Sequence, residues 1–136
     1  MLLDTDIFSE LLKEVNVNVL AAADVYLATH GIYTISTITV AEMIRGLQRQ
    51  RLVPRLLRFV DALLKAELLT LELESAVLAG QICGDLERAG QPIGLSDVMI
   101  ASIALHHNLT LATGNQAHFQ RIQALGYSLK LANWRD

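Results

Sequence analysis

Near its beginning the sequence reads Leu2-Leu3-Asp4-Thr5-Asp6-Ile7, two apolar residues that run directly into a carboxylate. The apolar pair predicts a short buried strand, and a helical pattern follows at residues 7–15. Asp6 would suffice to cap that helix, so Asp4 needs another reason to accept desolvation: a metal, a cation or a proton. We therefore expect Asp4 to lie at the carboxyl end of a strand, where α/β folds bind their ligands.

The remainder of the chain alternates short apolar runs with longer helical patterns. Further strands are predicted at 33–37, 68–73, 109–112 and 127–131, and further helices at 24–29, 39–50, 54–65, 75–88, 96–106 and 116–125. Strands that alternate with helices indicate crossover connections, and hence a mostly parallel sheet covered on both faces. The length of 136 residues is typical of one domain, so we expect residues 1–136 to form a single unit.

Composition excludes several classes of protein. The single cysteine excludes a disulfide framework and a multi-cysteine zinc site, and the net charge of −3 excludes a strongly basic nucleic-acid coat. No stretch predicts a membrane span or a signal peptide, so we expect a cytoplasmic protein without membrane contact. With 52% hydrophobic residues and a mean hydropathy of +0.37, we also expect a partner to cover part of the surface.

Four polar residues lie where a strand or a loop meets a helix: Asp4, Glu42, Asp97 and Asn115. Ordinary helix capping also accounts for three of them when each is taken singly. Glu42 fits a capping box with Thr39. Asp97 lies behind a serine that can cap, and Asn115 is itself a good N-cap residue. Parallel strands end at one edge of a sheet, however, so the topology predicts that the four residues converge.

A cluster of carboxylates with few cations is expected to need a metal. Such groups repel one another unless a divalent ion holds them together. Ligands that offer only oxygen atoms suit Mg²⁺ or Mn²⁺ rather than Zn²⁺, and Mg²⁺ is often shared with the phosphates of a substrate. The pattern therefore predicts metal-assisted hydrolysis of a phosphodiester.

Four segments resemble, in chain order, the sequence motifs of PIN domains, and together they span the whole chain. The first is the opening 2–7, and the others are Ser36 with 41–46, 95–104, and 111–122 with its Asn-x-x-His-Phe pattern. The ending Asn133-Trp134 also resembles that of the family. The ordered set is similar to the VapC-type toxins of bacterial and archaeal toxin–antitoxin pairs.

The resemblance implies a three-layer α/β/α PIN-like fold with a central mostly parallel sheet of four to five strands. It implies a Mg²⁺- or Mn²⁺-dependent endoribonuclease, a hydrolase that acts on single-stranded or looped RNA and often on tRNA. Asp4, Glu42 and Asp97 match the family's metal-site positions, and Asn115 matches the fourth catalytic position. Because Asn115 is neutral where many relatives carry Asp, a single metal ion is expected. Asp6 is expected to have a supporting or substrate-side role.

Further side chains are candidates for substrate contact. Arg45 lies one helical turn after Glu42, where it either reaches substrate or pairs with Glu42. Thr113 and Ser36 lie at the ends of predicted strands, so they either contact water or phosphate or only satisfy hydrogen bonds there. Five arginines form either a solvated face or a track for RNA phosphates, at positions 45, 49, 51, 55 and 58.

The high hydrophobic content is compatible with two partners that would cover apolar surface: a second copy of the chain in a homodimer, and an antitoxin. The resemblance implies both. Two other functions remain alternatives. A haloacid-dehalogenase-type phosphatase would use Asp4 and Asp6 as nucleophile and acid, but Ile7-Phe8 departs from that motif. A non-catalytic PIN-like module would bind RNA or protein without cutting, and the intact acids argue against it.

Overall fold

The computed structural model describes residues 1–136 and contains five strands and seven helices. In chain order the elements are β1 (Leu2–Leu3), α1 (Thr5–Lys13), α2 (Val17–His30), β2 (Tyr33–Ser36), α3 (Thr37–Arg49), α4 (Val53–Leu63), β3 (Ala66–Leu69), α5 (Leu73–Arg88), α6 (Leu95–His106), β4 (Leu111–Ala112), α7 (Gln116–Ala124) and β5 (Leu131–Ala132). Every predicted element is present. Strand β3 begins two residues before its predicted start of 68, and β5 shares only Leu131 with the predicted strand 127–131.

Helix α2 is the main exception, because it begins at Val17 instead of residue 24. Asn16 caps it, with Oδ1 accepting from the amides of Asn18 and Val19 at 3.0 and 3.1 Å. The residues that follow are apolar around most of the helix, so their periodicity does not mark where it starts. The helix ends at Gly31, whose φ of 76° costs glycine little.

All five strands are parallel and lie in the order β3-β2-β1-β4-β5, which confirms the predicted sheet. Strand β1 is central, with Leu3 in register with Ile35 on one side and Ala112 on the other. The chain first extends the sheet from β1 to β3 and then places β4 and β5 on the opposite side of β1. Because the strand order reverses at β1, a crevice at the carboxyl ends of β1 and β4 is the expected ligand site.

Two apolar cores lie on opposite faces of the sheet. Neighbouring residues of a strand point to opposite faces, and Leu2 and Leu3 accordingly belong to different cores. Leu2 packs with residues of α5, α6 and α7 such as Ile100, whereas Leu3 packs with residues of α1, α2 and α4 such as Phe59. The predicted three-layer α/β/α fold is therefore confirmed. None of the seven helices is both long and apolar enough to cross a membrane.

Candidate active site

A cavity of about 630 Å³ opens at the carboxyl end of β1. The four predicted site residues line it from four places in the chain: Asp4 after β1, Glu42 on α3, Asp97 on α6 and Asn115 before α7. Asp6, for which a supporting role is predicted, lines the cavity as well. The convergence expected from the topology is therefore present in the structure.

Asp4 is the most buried carboxylate of the cavity, with 4% of its surface exposed. Its Oδ1 accepts from the amide of Thr5 and its Oδ2 from the hydroxyl of Thr113, both at 2.8 Å. Asp4 is also the N-cap of α1, so the expectation that Asp6 caps this helix is wrong. Burial and the neighbouring charge of Asp6 raise the pKa of Asp4 from its ordinary value of 3.8 to about 7, although both hydrogen bonds favour the charged form.

Asp6 lies in the first turn of α1 and contacts two later parts of the chain. Its Oδ2 accepts from the amide of Gly114 at 3.0 Å and lies 3.3 Å from Nη2 of Arg135. Burial raises the pKa of Asp6, while the charge of Arg135 and the amide of Gly114 partly offset that rise. Asp6 therefore connects α1 to the segment after β4 and to the last residues of the chain.

Glu42 reaches across to α1 rather than capping its own helix. Its Oε1 accepts from the hydroxyl of Thr5 at 2.6 Å, and the same hydroxyl lies 3.0 Å from that of Thr39. Helix α3 has Ser36 as its N-cap, with Oγ accepting from the amide of Thr39 at 3.1 Å. The capping box considered for Thr39 and Glu42 is therefore not formed, and the Glu42 carboxylate faces the cavity.

Asp97 and Asn115 are joined by His118 on α7. The Nδ1 atom of His118 lies 3.3 Å from Oδ2 of Asp97 and 2.9 Å from the side-chain nitrogen of Asn115. Asp97 occupies the first turn of α6, where the helix dipole favours a carboxylate, and the N-cap of α6 is Gly94 rather than the expected serine. Asn115 is the N-cap of α7 but makes no side-chain capping bond. Its side chain contacts His118 and lines the cavity instead.

Three basic side chains line the cavity, and Arg45 is not among them. They are Lys13 of α1, Arg55 of α4 and Arg135 near the end of the chain. Arg45 is exposed and forms no ion pair with Glu42, so the structure supports neither of the roles considered for it. Of the five arginines considered as an RNA track, Arg55 alone lines the acidic cavity.

Ser36 and Thr113, the other candidates for substrate contact, are fully buried and do not line the cavity. Ser36 caps α3, whereas Thr113 donates to Asp4 and accepts from the amide of Asn115 at 3.0 Å. Both side chains therefore satisfy hydrogen bonds inside the protein, which is the second of the two roles considered for them. Thr113 acts on the site through Asp4.

The donor set of the cavity fits a hard divalent cation. Its candidate ligands are carboxylates and the amide of Asn115, and the buried Asp4 would gain most from a positive charge beside it. The tightest group of possible ligands lies elsewhere: Glu72, Glu74 and His106, with ligand atoms within 4.8 Å of one another, are exposed and do not line the cavity. No three carboxylates of the cavity form so tight a group.

Sequence reasoning does not identify three side chains that complete the site. Thr5 lies between two predicted acids, and its position in that motif is the one sign that it matters. His118 belongs to the Asn-x-x-His-Phe pattern, which gives no indication that it bridges Asp97 and Asn115. Arg135 has no local sign at all, because it bonds to Glu10 across 125 residues of sequence.

Comparison with known proteins gives a consistent set of relatives. The sequence model of the PIN domain matches residues 1–125. The tRNA(fMet)-specific endonuclease VapC of Salmonella typhimurium is 35% identical over 92 residues, which are 67% of this chain and 70% of that protein. Ribonuclease VapC1 of Haemophilus influenzae is 31% identical over 136 residues, 99% of this chain and 96% of that protein. The solved structure of DNA-bound VapBC from Salmonella typhimurium has a TM-score of 0.82 at 28% identity and covers 98% of this chain and 96% of that one.

The raised pKa of Asp4 predicts that the metal-free protein loses stability as the pH rises. A carboxyl whose pKa is higher in the folded state stabilises the fold below pH 3.8, and that contribution is lost as the pH rises to about 7. The difference corresponds to about 4 kcal/mol of the free energy of unfolding. Urea unfolding in EDTA between pH 4 and pH 8 should show this loss in the parent chain and not in Asp4→Asn.

The exposed Asp61→Asn is the matched control and should follow the parent at every pH. Excess divalent cation should reduce the loss, because a bound cation favours the carboxylate form. A stability curve of Asp4→Asn that runs parallel to that of the parent would contradict the assignment of this pKa.

Proposed function

This chain belongs to the PIN-domain family, and we propose that it is a VapC-type endoribonuclease, the toxin of a toxin–antitoxin pair. The observation that carries the proposal is the convergence of Asp4, Glu42, Asp97 and Asn115 on one cavity. The curated relatives named above are an endonuclease and a ribonuclease, and both match this chain over two thirds of its length or more. We treat residues 1–136 as one nuclease domain.

The proposed cofactor is a divalent cation, Mg²⁺ or Mn²⁺. Asp4 and Asp97 would hold it, with Glu42 as a ligand either directly or through water. The burial of Asp4 supports this choice, and the neutral side chain of Asn115 favours a single ion because it leaves one negative charge fewer in the site. Ions of this kind lower the pKa of a bound water and neutralise charge on a phosphate.

Two of the acids are held in place by groups of α1 and of the strand ends. The amide of Thr5 and the hydroxyl of Thr113 bind different oxygens of Asp4, which fixes the plane of its carboxylate. The hydroxyl of Thr5 binds Glu42. Because Thr5 contacts both acids, a displacement of α1 would disturb them together. Such preorganisation reduces the reorganisation that binding and reaction would otherwise require.

Asp97 and Asn115 are held as a second pair. The Nδ1 atom of His118 lies within reach of both: when protonated it donates to Asp97, and when unprotonated it accepts from the side-chain amide of Asn115. In the proposed reaction a water molecule attacks the phosphorus, and the bond to one ribose oxygen breaks. The amide of Asn115 would donate to the phosphate as negative charge develops on its oxygens.

The proposed substrate is single-stranded or looped RNA. We take tRNA as the first candidate because one relative is a tRNA(fMet)-specific endonuclease. Lys13 and Arg55 line the cavity and supply positive charge beside its acidic interior, where the phosphates of an RNA chain would pass. Cleavage by the protein should therefore weaken as the salt concentration rises.

Asp97→Asn is expected to lower metal-dependent cleavage at least about 100-fold, because it removes a ligand charge while keeping the size of the side chain. The measurement uses end-labelled tRNA and a single-stranded RNA, with Mg²⁺, with Mn²⁺ and with EDTA. Asp61→Asn makes the same charge change on the outer face of α4 and should cleave like the parent.

Three other outcomes would each change the proposal. Full metal-dependent cleavage by Asp97→Asn would contradict the site. Binding of RNA and metal by the parent chain without any turnover would favour the non-catalytic module. Release of phosphate from a small monoester would favour the haloacid-dehalogenase-type phosphatase, an alternative that membership of the PIN-domain family does not support.

We propose that the antitoxin covers the outer face of α4. The inner face of this helix buries Phe59, yet the outer face of the helix and its C-cap residue expose four apolar side chains at helical spacing: Val53, Leu57, Val60 and Leu64. An exposed apolar stripe of this kind is typical of a surface that binds an amphipathic segment of a partner. Arg55 of the same helix lines the cavity, so a partner on α4 would lie beside the active site.

Leu57→Asp is expected to weaken the complex with the cognate antitoxin at least about tenfold, because it places a charge in an apolar contact. Thermal unfolding of the chain alone should change little, since the side chain of Leu57 is exposed. Copurification of the coexpressed pair and titration of the purified proteins measure the effect. Leu73→Asp, at an exposed leucine of α5, is the control, and an unchanged complex for Leu57→Asp would contradict the placement.

We further propose that the protein acts in the cytoplasm and assembles as a two-fold homodimer. The mean hydropathy of +0.37 supports a surface that a partner covers. The homodimer follows from the family resemblance and the cytoplasmic location from the sequence, and neither rests on a contact in the structure.

A further inference from the structure

We propose that Arg135 binds a phosphate of the RNA substrate, as a guanidinium that two carboxylates hold at the wall of the catalytic cavity. The inference rests on the proposed nuclease function and deepens it, because it names a substrate contact that the family motifs do not include. The last residues of the chain return to the acidic site.

The segment that carries Arg135 is fixed on both sides of this residue. Trp134, immediately before it, is buried in the core beneath α1, α2 and α4. The carbonyl of Arg135 accepts from Nδ2 of Asn18 at 2.8 Å, and its amide donates to Oδ1 of Asn133 at 3.0 Å. The backbone of Arg135 is therefore tied to α2, and its side chain starts from a defined position.

Two acids of α1 hold the guanidinium itself. Its Nε donates to Oε1 of Glu10 at 2.7 Å, and Nη2 forms ion pairs with Glu10 and, at 3.3 Å, with Asp6. The third nitrogen, Nη1, makes no hydrogen bond, although the side chain lines the catalytic cavity and is 36% exposed. Nη1 lies against the backbone of Gly114, and its donors have no partner within the protein.

Gly114 makes room for this arrangement. A Cβ atom at position 114 would overlap the guanidinium of Arg135, which occupies the space that a side chain would otherwise take. The amide of Gly114 donates to the same Asp6 oxygen that faces Arg135. Glycine at this position thus allows the guanidinium to lie against the backbone that leads to Asn115.

The charge of the cavity explains why a phosphate is the expected ligand. Four carboxylates line the cavity, and their negative charge repels the phosphates of an entering RNA chain. A guanidinium offers several donors in a plane that matches a phosphate, and it keeps its charge at every relevant pH. Because Glu10 and Asp6 already restrict the side chain, it loses little conformational entropy when it binds.

The test measures binding of a labelled single-stranded RNA in the Asp97→Asn background, where cleavage is expected to be slow. Arg135→Met keeps the apolar stem and removes the charge. It is expected to weaken binding about tenfold and to reduce the slope of log affinity against log salt by about 0.7, the value for one phosphate contact on a single strand. Arg88→Met is the control, because Arg88 is an exposed residue of α5 that lies away from the cavity.

A purely structural role for Arg135 predicts a different result. In that case Arg135→Met would bind RNA with the affinity and salt slope of the parent background, and this outcome overturns the inference. In the cleaving chain, loss of a substrate contact should raise KM more than it lowers kcat. Calorimetry with Mn²⁺ should show that the metal still binds, since Arg135 is not a proposed ligand.

Trp134 reports whether the variant remains folded at this end, because it is the only tryptophan of the chain. If the Trp134 emission shows that Arg135→Met releases the end of the chain from the core, the test uses Arg135→Lys instead, because lysine keeps one positive charge. A parental salt slope in Arg135→Lys supports the phosphate contact, and a slope reduced as in Arg135→Met overturns it. If the parent chain binds and cuts no RNA, the proposed function itself fails, which is a different result from equal binding by the parent and Arg135→Met.

Discussion

Asp4 brings a carboxylate into the interior of the protein, at the end of the central strand and between two apolar cores. Its charged form is costly there, because burial and the neighbouring acids raise its pKa to about 7. The hydrogen bonds from Thr5 and Thr113 reduce that cost but do not remove it. A cation in the cavity would stabilise the charged form, and the other acids gather where that cation would bind. The site is therefore arranged around the Asp4 carboxylate, whose burial in the charged form is unfavourable without a cation.

The sheet order is what makes this burial possible. Strand β1 has neighbours on both sides, so both of its leucines are fully buried. Asp4, the residue after them, lies at the carboxyl end of this central strand. The reversal of strand order at β1 places the start of α1, the start of α6 and the loop after β4 around one crevice. Asp4, Asp97 and Asn115 meet there because their elements end or begin at the same place, and Glu42 reaches the crevice from within α3.

Much of the fold and the acidic constellation could be predicted from the sequence, because both depend on local patterns. Alternating strands and helices indicate a parallel sheet, and the motifs around Asp4, Glu42, Asp97 and Asn115 indicate the family, which the match to residues 1–125 confirms. The contacts that orient these acids could not be predicted. They join residues that are distant in sequence, as Arg135 and Glu10 are, and no periodicity or capping rule records such a pair. Likewise, proximity in sequence to Glu42 does not place Arg45 in the cavity.

The most direct test of this account is a count of the protons released when Mn²⁺ binds to the metal-free protein. Calorimetric titrations in two buffers with different ionisation enthalpies give that count. If a metal takes up the charged form of Asp4, binding at pH 6 should release about one proton, and binding at pH 8.5 should release almost none. Absence of Mn²⁺ binding, or the same proton count at both pH values, would contradict the claim that a cation compensates the buried carboxylate.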